Sequence, residues 1–479
     1  MSCLVVAAVL AQVGEPVPEP TLEDQGIRIT RDYVAEFVAL APMGEEKDRA
    51  WPLYLEARRA LKNMSEAVAD MPKPGDAAWG EAREFVKARR AAIALLWEAA
   101  EKPVLGYPLS TRVDPAMAEL DGVEVDTSPV ERPPEVFSLL MPYLGVLRAS
   151  ARSLWADVMV AIEERDAERF WKSVEAMLGV ARHASEHPNV IGDLVSLTAA
   201  GVAMNAIEHM LATDPSLTDT EGARLVMAAL RSAPMRGSVR PRMAYDRLLL
   251  LDVLQRSYSD DGNGDGRLRS HGLRYIDELG GAPTPDKSIF ENPMAATTVL
   301  MKAARRREVI EEFDRLVAPE RWHMPLWEME QWPELAPTVG EERDTWRKKY
   351  LVLGILGPMI GKAAIASEQF LQRREAARAA IAVELHRQAT GRFPEDLSEL
   401  VPAFLDRVPE DRFTGEPLLY RVVDGKAVVY SRGPDLDDDG GRRNEDAGKP
   451  ACWQLPKAKA KDRKPVPEGD WVLFTVGAG

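Results

Sequence analysis

Pro417-Leu-Leu-Tyr-Arg-Val-Val-Asp-Gly-Lys-Ala-Val-Val-Tyr-Ser-Arg-Gly-Pro-Asp-Leu-Asp-Asp-Asp-Gly-Gly441 places two apolar runs around a turn signal and follows them with a cluster of acids. Asp424-Gly425 suits a two-residue turn, so Pro417 to Val423 and Lys426 to Ser431 are predicted to pair as a β-hairpin. Trp471 to Val476 is expected to add a third strand, because a hairpin alone is marginal in water. The acids form a calcium-type loop: Asp435, Asp437, Asp438 and Asp439 lie close together, with Gly433, Gly440 and Gly441 freeing the backbone around them. Calcium takes six to eight oxygen ligands in a flexible shell, and this stretch is rich in such donors.

The rest of the chain sets bounds on that reading. Its 479 residues are 46% hydrophobic and 29% charged, enough for two or three globular domains. A formal net charge of -15 argues against a nucleic-acid partner, which calls for a basic face. Cys3 and Cys452 are the two cysteines, so a disulfide framework and a zinc ribbon are both excluded. Cys3 to Ala11 is apolar and ends on a small residue, resembling the core and cleavage region of a secretory signal, so export to the periplasm, envelope or exterior is expected. Residues 12–44 are expected to be an extended linker.

Residues 45–316 are expected to be a helical domain. Trp51, Leu53, Tyr54, Ala57, Ala60 and Leu61 recur at helical spacing, as do Phe85, Ala88, Ala92, Leu95 and Leu96. Further helices are predicted over Glu135 to Arg165, Ala167 to His187, Val190 to Thr213, Asp219 to Ser232 and Arg240 to Tyr258. His187-Pro188, Asp214-Pro215 and Thr218-Asp-Thr-Glu221 punctuate them. No fixed repeat period survives, so an irregular array, either solenoid-like hairpins or one compact helical domain, is expected. Residues 317–344 form a Pro/Trp-rich connector, in which Trp322, Trp327 and Trp332 are expected to lie over a hydrophobic core.

Two motifs in the helical part bear on chemistry. His183-Ala-Ser-Glu-His187 fits H-x-x-E-H, the pattern that puts two zinc-binding histidines on one helix face beside a glutamate base; Pro188 directly after it favours an ordinary helix end. Asp260 to Leu268 resembles the first half of an EF-hand or dockerin calcium loop. Asp261, Asn263 and Asp265 fall at its positions 1, 3 and 5, with Gly266 at position 6, while Gly272 stands where position 12 normally supplies a bidentate glutamate. Calcium is the cofactor expected at both loops.

Leu351 to Ala366 is strongly apolar but carries Pro358 and Lys362 and is too short for a confident membrane span. It runs into an Arg/Ala-rich amphipathic helix to Gly391, then Gly391-Arg-Phe-Pro394, Leu397 to Leu400, Asp411-Arg-Phe-Thr-Gly-Glu-Pro417 and the hairpin. This ordered series resembles the major pseudopilin of type II secretion. The resemblance implies one calcium in the C-terminal loop, with Asp435 and Asp437 as ligands, Asp439 or Asp446 completing the shell and Ser431 adding an oxygen. In that family the helix leads the chain, whereas here it begins at Leu351.

The expected fold is mainly α: the helical array followed, over residues 345–479, by a small α+β pseudopilin-like domain with a long helix and a three-stranded antiparallel sheet. The expected role is an exported structural or interaction protein without catalysis. A component of a secretion or envelope complex and a hydrolase whose site is not readable from sequence are the alternatives.

Overall fold

The computed structural model describes residues 22–61, 66–125, 127, 133–187, 189–232, 244–279, 293–317, 326–328, 340–449 and 468–477. Among them are sixteen α-helices and one small sheet, so the chain is mainly helical with a three-stranded antiparallel sheet near its C-terminus. In chain order the helices are α1 Tyr33–Ala39, α2 Trp51–Ala60, α3 Glu66–Ala69, α4 Trp79–Ala88, α5 Arg90–Glu101, α6 Pro115–Asp121, α7 Tyr143–Glu164 and α8 Ala167–Ala184. They continue as α9 Val190–Thr213, α10 Thr220–Ser232, α11 Ala244–Ser257, α12 Ser270–Glu278, α13 Pro293–Lys302, α14 Arg306–Leu316, α15 Gly340–Lys349 and α16 Leu351–Thr390. The strands are β1 Leu419–Val423, β2 Lys426–Ser431 and β3 Trp471–Val476. The signal-like residues 1–11, Trp322 and Trp332 lie outside the described residues.

The chain divides into two units. The larger comprises residues 32–249, 314–338 and 356–479. Its helical part is built around α8, which packs against α5, α7, α9 and α10, while α7 and α9 also touch each other. Mutual packing of this kind is a compact domain rather than a one-dimensional stack. Gly179 on α8 allows the approach of α5, since a Cβ there would sit 2.6 Å from the carbonyl oxygen of Ala100. Asn189 caps α9 by accepting a hydrogen bond from the Gly192 amide at 2.8 Å, and Asp214-Pro215 ends it.

Helix α9 is apolar all round, the signature of a helix covered on every side. One of its neighbours is β3, and the Gly477 amide donates to the Leu211 carbonyl at 3.0 Å. Among the described residues α9 is the helix long and apolar enough to cross a membrane, but 72% of its most apolar window is buried inside the protein.

The larger unit holds helices of the expected helical domain together with the α+β end. Three strands are too few to enclose a core, so the sheet completes itself on α9 and the α+β end joins the helices in one unit. Arg373 of α16 adds a polar tie, donating to Asn205 at 2.6 Å and to Glu208 at 3.2 Å. Residues 32–44, expected to be extended, contain α1, whose Asp32 cap accepts from the Ala35 amide at 2.9 Å.

The sheet runs in the order β1-β2-β3, with Asp424 and Gly425 both at positive φ in the β1–β2 turn. Val428, Tyr430 and Val472 form its small apolar cluster, with Leu419 packed against it. Helix α16 reaches the sheet through charged groups: Arg412 pairs with fully buried Glu368 through two 2.8 Å hydrogen bonds, and its amide donates to Gln372 at 2.6 Å. Its guanidinium also lies 5.5 Å from the ring centroid of Trp327.

The smaller unit comprises residues 1–31, 250–313 and 339–355. In it the Ala304 amide donates to the Lys349 carbonyl at 2.8 Å, and Gln255 holds the incoming chain through the Arg31 carbonyl at 3.0 Å.

Removing one partner from a buried ion pair leaves the other charge without compensation. Arg412→Ala is accordingly expected to lower unfolding stability by about 3 kcal/mol, and chemical denaturation measures it. Combining it with Glu368→Leu should recover part of that loss.

Candidate metal centre

Strand β2 ends at Ser431, and its register fixes the start of the acidic loop. The Ser431 hydroxyl donates to Asp411 Oδ1 at 2.9 Å and accepts from the Gly433 amide at 3.0 Å. Gly433–Asp435 forms one tight turn, and Leu436 follows with φ +73°, an uncommon conformation for a branched side chain. Beyond it, one carboxylate oxygen from each of Asp435, Asp437 and Asp439 lies within 4.8 Å of the other two. Among the described residues no other group of three or more His, Cys, Asp or Glu side chains has this geometry.

The oxygens are short of partners. Both carboxylate oxygens of Asp435, Oδ2 of Asp439 and Oδ1 of Asp470 are buried and accept no hydrogen bond among the described residues. Burial, and then the neighbouring Asp437 carboxylate, push the Asp435 pKa up to about 6. Asp470 is likewise raised to about 6, first by burial, with the charges of Asp438 and Asp439 adding to it. Buried acceptors without donors and like charges held together are both costly unless a cation compensates them. An all-oxygen, carboxylate-dominated donor set fits a hard divalent ion such as calcium rather than a soft metal.

The sequence-derived ligands divide. Asp435, Asp437 and Asp439 come together. Asp446 does not join them and pairs instead with Lys449. The hydroxyl of Ser431 is engaged with Asp411 rather than with the cluster. Asp438 turns aside, accepting from the Tyr430 hydroxyl at 3.1 Å and from the Gly440 amide at 2.9 Å.

Sequence reasoning missed two residues. Asp470 is fully buried beside the loop, where its Oδ2 accepts from the Gly441 amide at 2.7 Å. Asp411 is almost as buried and braces the base of the loop, accepting from the Phe413 amide at 2.9 Å and the Arg432 amide at 3.0 Å. Their signal was available only as single acids at the edges of apolar runs, Asp470 before Trp471 and Asp411 before Arg-Phe.

The loop at Asp260 to Leu268 closes differently. Asp261 Oδ1 accepts from the amides of Asn263 at 2.8 Å and Asp265 at 3.1 Å. Asp265 accepts from Gly266 and Arg307 amides at 2.8 and 3.2 Å and from the Arg305 guanidinium at 2.6 Å. The Arg307 guanidinium reaches the Asn263 carbonyl at 3.2 Å, and Arg306 pairs with Asp260 at 3.4 Å. Loop amides thus hold Asp261 Oδ1, and amides and Arg305 hold both oxygens of Asp265, while the contact at Asn263 is on its backbone carbonyl. Gly272 sits in α12 against Ser257, where a Cβ would lie 2.0 Å from the Ser257 carbonyl oxygen, so a glutamate at that position would not fit.

The two histidines do not share a helix face, because α8 ends at Ala184 and His187 lies beyond it. Both nitrogens of His183 are engaged, Nδ1 with the Tyr54 hydroxyl and Nε2 with the Lys102 carbonyl, each at 2.9 Å. Burial drives its pKa down to about 3 and that of His187 to about 4, so both are neutral near pH 7. His187 packs on Tyr143 with ring centroids 4.9 Å apart. This is the ordinary buried helix end.

No protein-family model, curated protein or solved structure matches the chain.

Two outcomes are expected. Asp265→Ala should destabilise the protein by a similar amount with calcium or with a chelator present, since it breaks an arginine-closed loop; thermal denaturation under both conditions measures this. Glu186, whose carboxylate accepts from the Leu105 amide at 2.7 Å, is raised to about 7 by burial. Its folded-state pKa lies above the unfolded one, so its contribution is complete below about 4.5 and is lost as the pH rises through 7. Glu186→Gln should flatten the fall in stability across that window and leave the variant the more stable protein at pH 8.

Proposed function

We propose that this is an exported structural or interaction protein whose C-terminal α+β end is stabilised by one calcium ion at Asp435, Asp437 and Asp439, with Asp470 as an outer acidic wall. The observation that carries the reading is the pair of buried, unpartnered Asp435 oxygens converging with Asp437 and Asp439. The apolar Cys3 to Ala11 stretch supports export, and calcium is a suitable stabiliser outside the cytoplasm. The order of helix, hairpin and acidic loop resembles the major pseudopilin head and supports an association with an envelope or secretion complex. His183, with both ring nitrogens engaged, and His187, beyond the helix end, lend no support to a zinc hydrolase.

The ion acts thermodynamically. It binds the folded loop and not the unfolded chain, so it stabilises by mass action, about 2.7 kcal/mol when calcium is at a hundred times its dissociation constant. It bridges the end of β2 to the segment that enters β3, two parts of the sheet that the chain joins only through a long connection.

Calcium should therefore raise the melting temperature of the full-length protein, and magnesium should do so far less because it demands a tighter octahedral shell. Asp435→Asn combined with Asp439→Asn should abolish the calcium response while raising stability in chelator, as like charges are removed. A calcium response that survives in this variant would refute the assignment.

A further inference from the structure

A second site lies in the larger unit, far from the acidic loop in sequence. A pocket of about 540 Å³ opens between α1, the 136–145 stretch, the start of α9 and α11. That volume is within the range of small-molecule sites, which are mostly apolar with a few placed polar groups. Its walls fit the description: Phe37, Phe137, Leu144, Val195 and Leu249 contribute apolar surface. Phe137 at 50% and Ile191 at 48% exposure form an apolar lip, and the ring of Phe37 lies 3.9 Å, centroid to centroid, from that of Tyr245.

One charged group in the wall is out of place. Asp246 is only 8% exposed. Its Oδ2 accepts a long hydrogen bond, 3.3 Å from the Val190 amide, and its own backbone amide is the other donor to the carboxylate. No cationic side chain among those residues pairs with it. Buried Asp193 adds like charge, so burial first and Asp193 second raise Asp246 to about 7. A carboxylate buried in an apolar wall normally has a cation; among the described residues Asp246 has none and relies on two backbone amide donors.

We propose that the pocket binds a small apolar organic cation, an alkyl- or arylammonium, whose charged nitrogen pairs with Asp246 while its apolar body fills the cavity. The ammonium supplies the missing positive charge. Phe37 and Tyr245 in the lining favour the same ligand, since aromatic rings attract cations that have shed their water. The exposed guanidinium of Arg148 also borders the pocket and has no ion-pair partner among the described residues, so an anionic ligand held at the rim is the competing outcome.

A matched series decides between them. Phenethylammonium, 2-phenylethanol and 3-phenylpropionate are titrated into the full-length protein near neutral pH by calorimetry. The ammonium is expected to bind at least about tenfold tighter than the alcohol, a gap of about 1.4 kcal/mol, and the carboxylate should bind weakest. Asp246→Asn should erase the preference for the ammonium over the alcohol, and Arg148→Ala should leave it unchanged. Ile191→Trp, a change at the exposed lip, should weaken both the ammonium and the alcohol by narrowing the entrance, with circular dichroism verifying that each variant is folded. Tighter binding of the carboxylate, binding of none of the three, or an ammonium preference that persists in folded Asp246→Asn would overturn the proposal.

Discussion

The C-terminal end depends on one buried carboxylate. Asp411 is 1% exposed and takes three hydrogen bonds, from the amides of Phe413 and Arg432 and from the Ser431 hydroxyl. Burial raises the Asp411 pKa, the three hydrogen bonds oppose that shift, and together they lock the turn before β1 to the last residue of β2. The next residue, Arg412, carries the connection on to Glu368 in α16. Two adjacent side chains therefore fix the sheet to the long helix and fix the point from which the acidic loop departs. They act together with the packing of β3 on α9, because the apolar cluster of Val428, Tyr430 and Val472 is small.

What could be read in the sequence was whatever is decided within a few residues. The predicted ends of α9 match the observed ones, because His187-Pro188 before it and Asp214-Pro215 after it are local stop signals. The strands were equally legible, because Asp424-Gly425 leaves one economical turn between two apolar runs. The association of the α+β end with the helical part was not legible. It depends on the sheet's need for a covering surface and on α9 having an apolar face to spare, a match between segments far apart in the chain. Asp411 and Asp470 are not legible as site residues for the same reason: the partners of each are brought in by tertiary structure.

The two Asp-Gly loops show why local pattern alone does not define a metal site. Both bring acids around a flexible backbone, and both have carboxylates that accept from loop amides. At Asp265 the adjoining Arg305-Arg306-Arg307 run supplies the positive charge, so the loop is complete within the protein. At Asp435 the nearest arginine contact is spent on one oxygen of Asp439, from Arg442, and the remaining oxygens face one another. The difference is in the cations available nearby, not in the number of acids. Of the two, the loop with the closer resemblance to a known calcium motif is the one already neutralised.

The same reasoning links the acidic loop to the pocket at Asp246. A folded protein tolerates a buried carboxylate when its geometry provides compensation, and the chain does so repeatedly: Asp157 accepts from Arg169 at 2.9 Å, and Glu384 from Arg387 at 2.6 Å. Both pairs hold a fully buried carboxylate against an arginine a few residues away on the same helix or the next. Against that habit, Asp435 and Asp246 stand out because neither has an arginine or lysine partner among the described residues, one standing in a cage of acids and the other in an apolar wall. The surroundings then select the missing charge. A cage of several carboxylates asks for a small divalent ion that can share them, whereas a single carboxylate beside aromatic rings and a sizeable cavity asks for one positive charge with an apolar body attached.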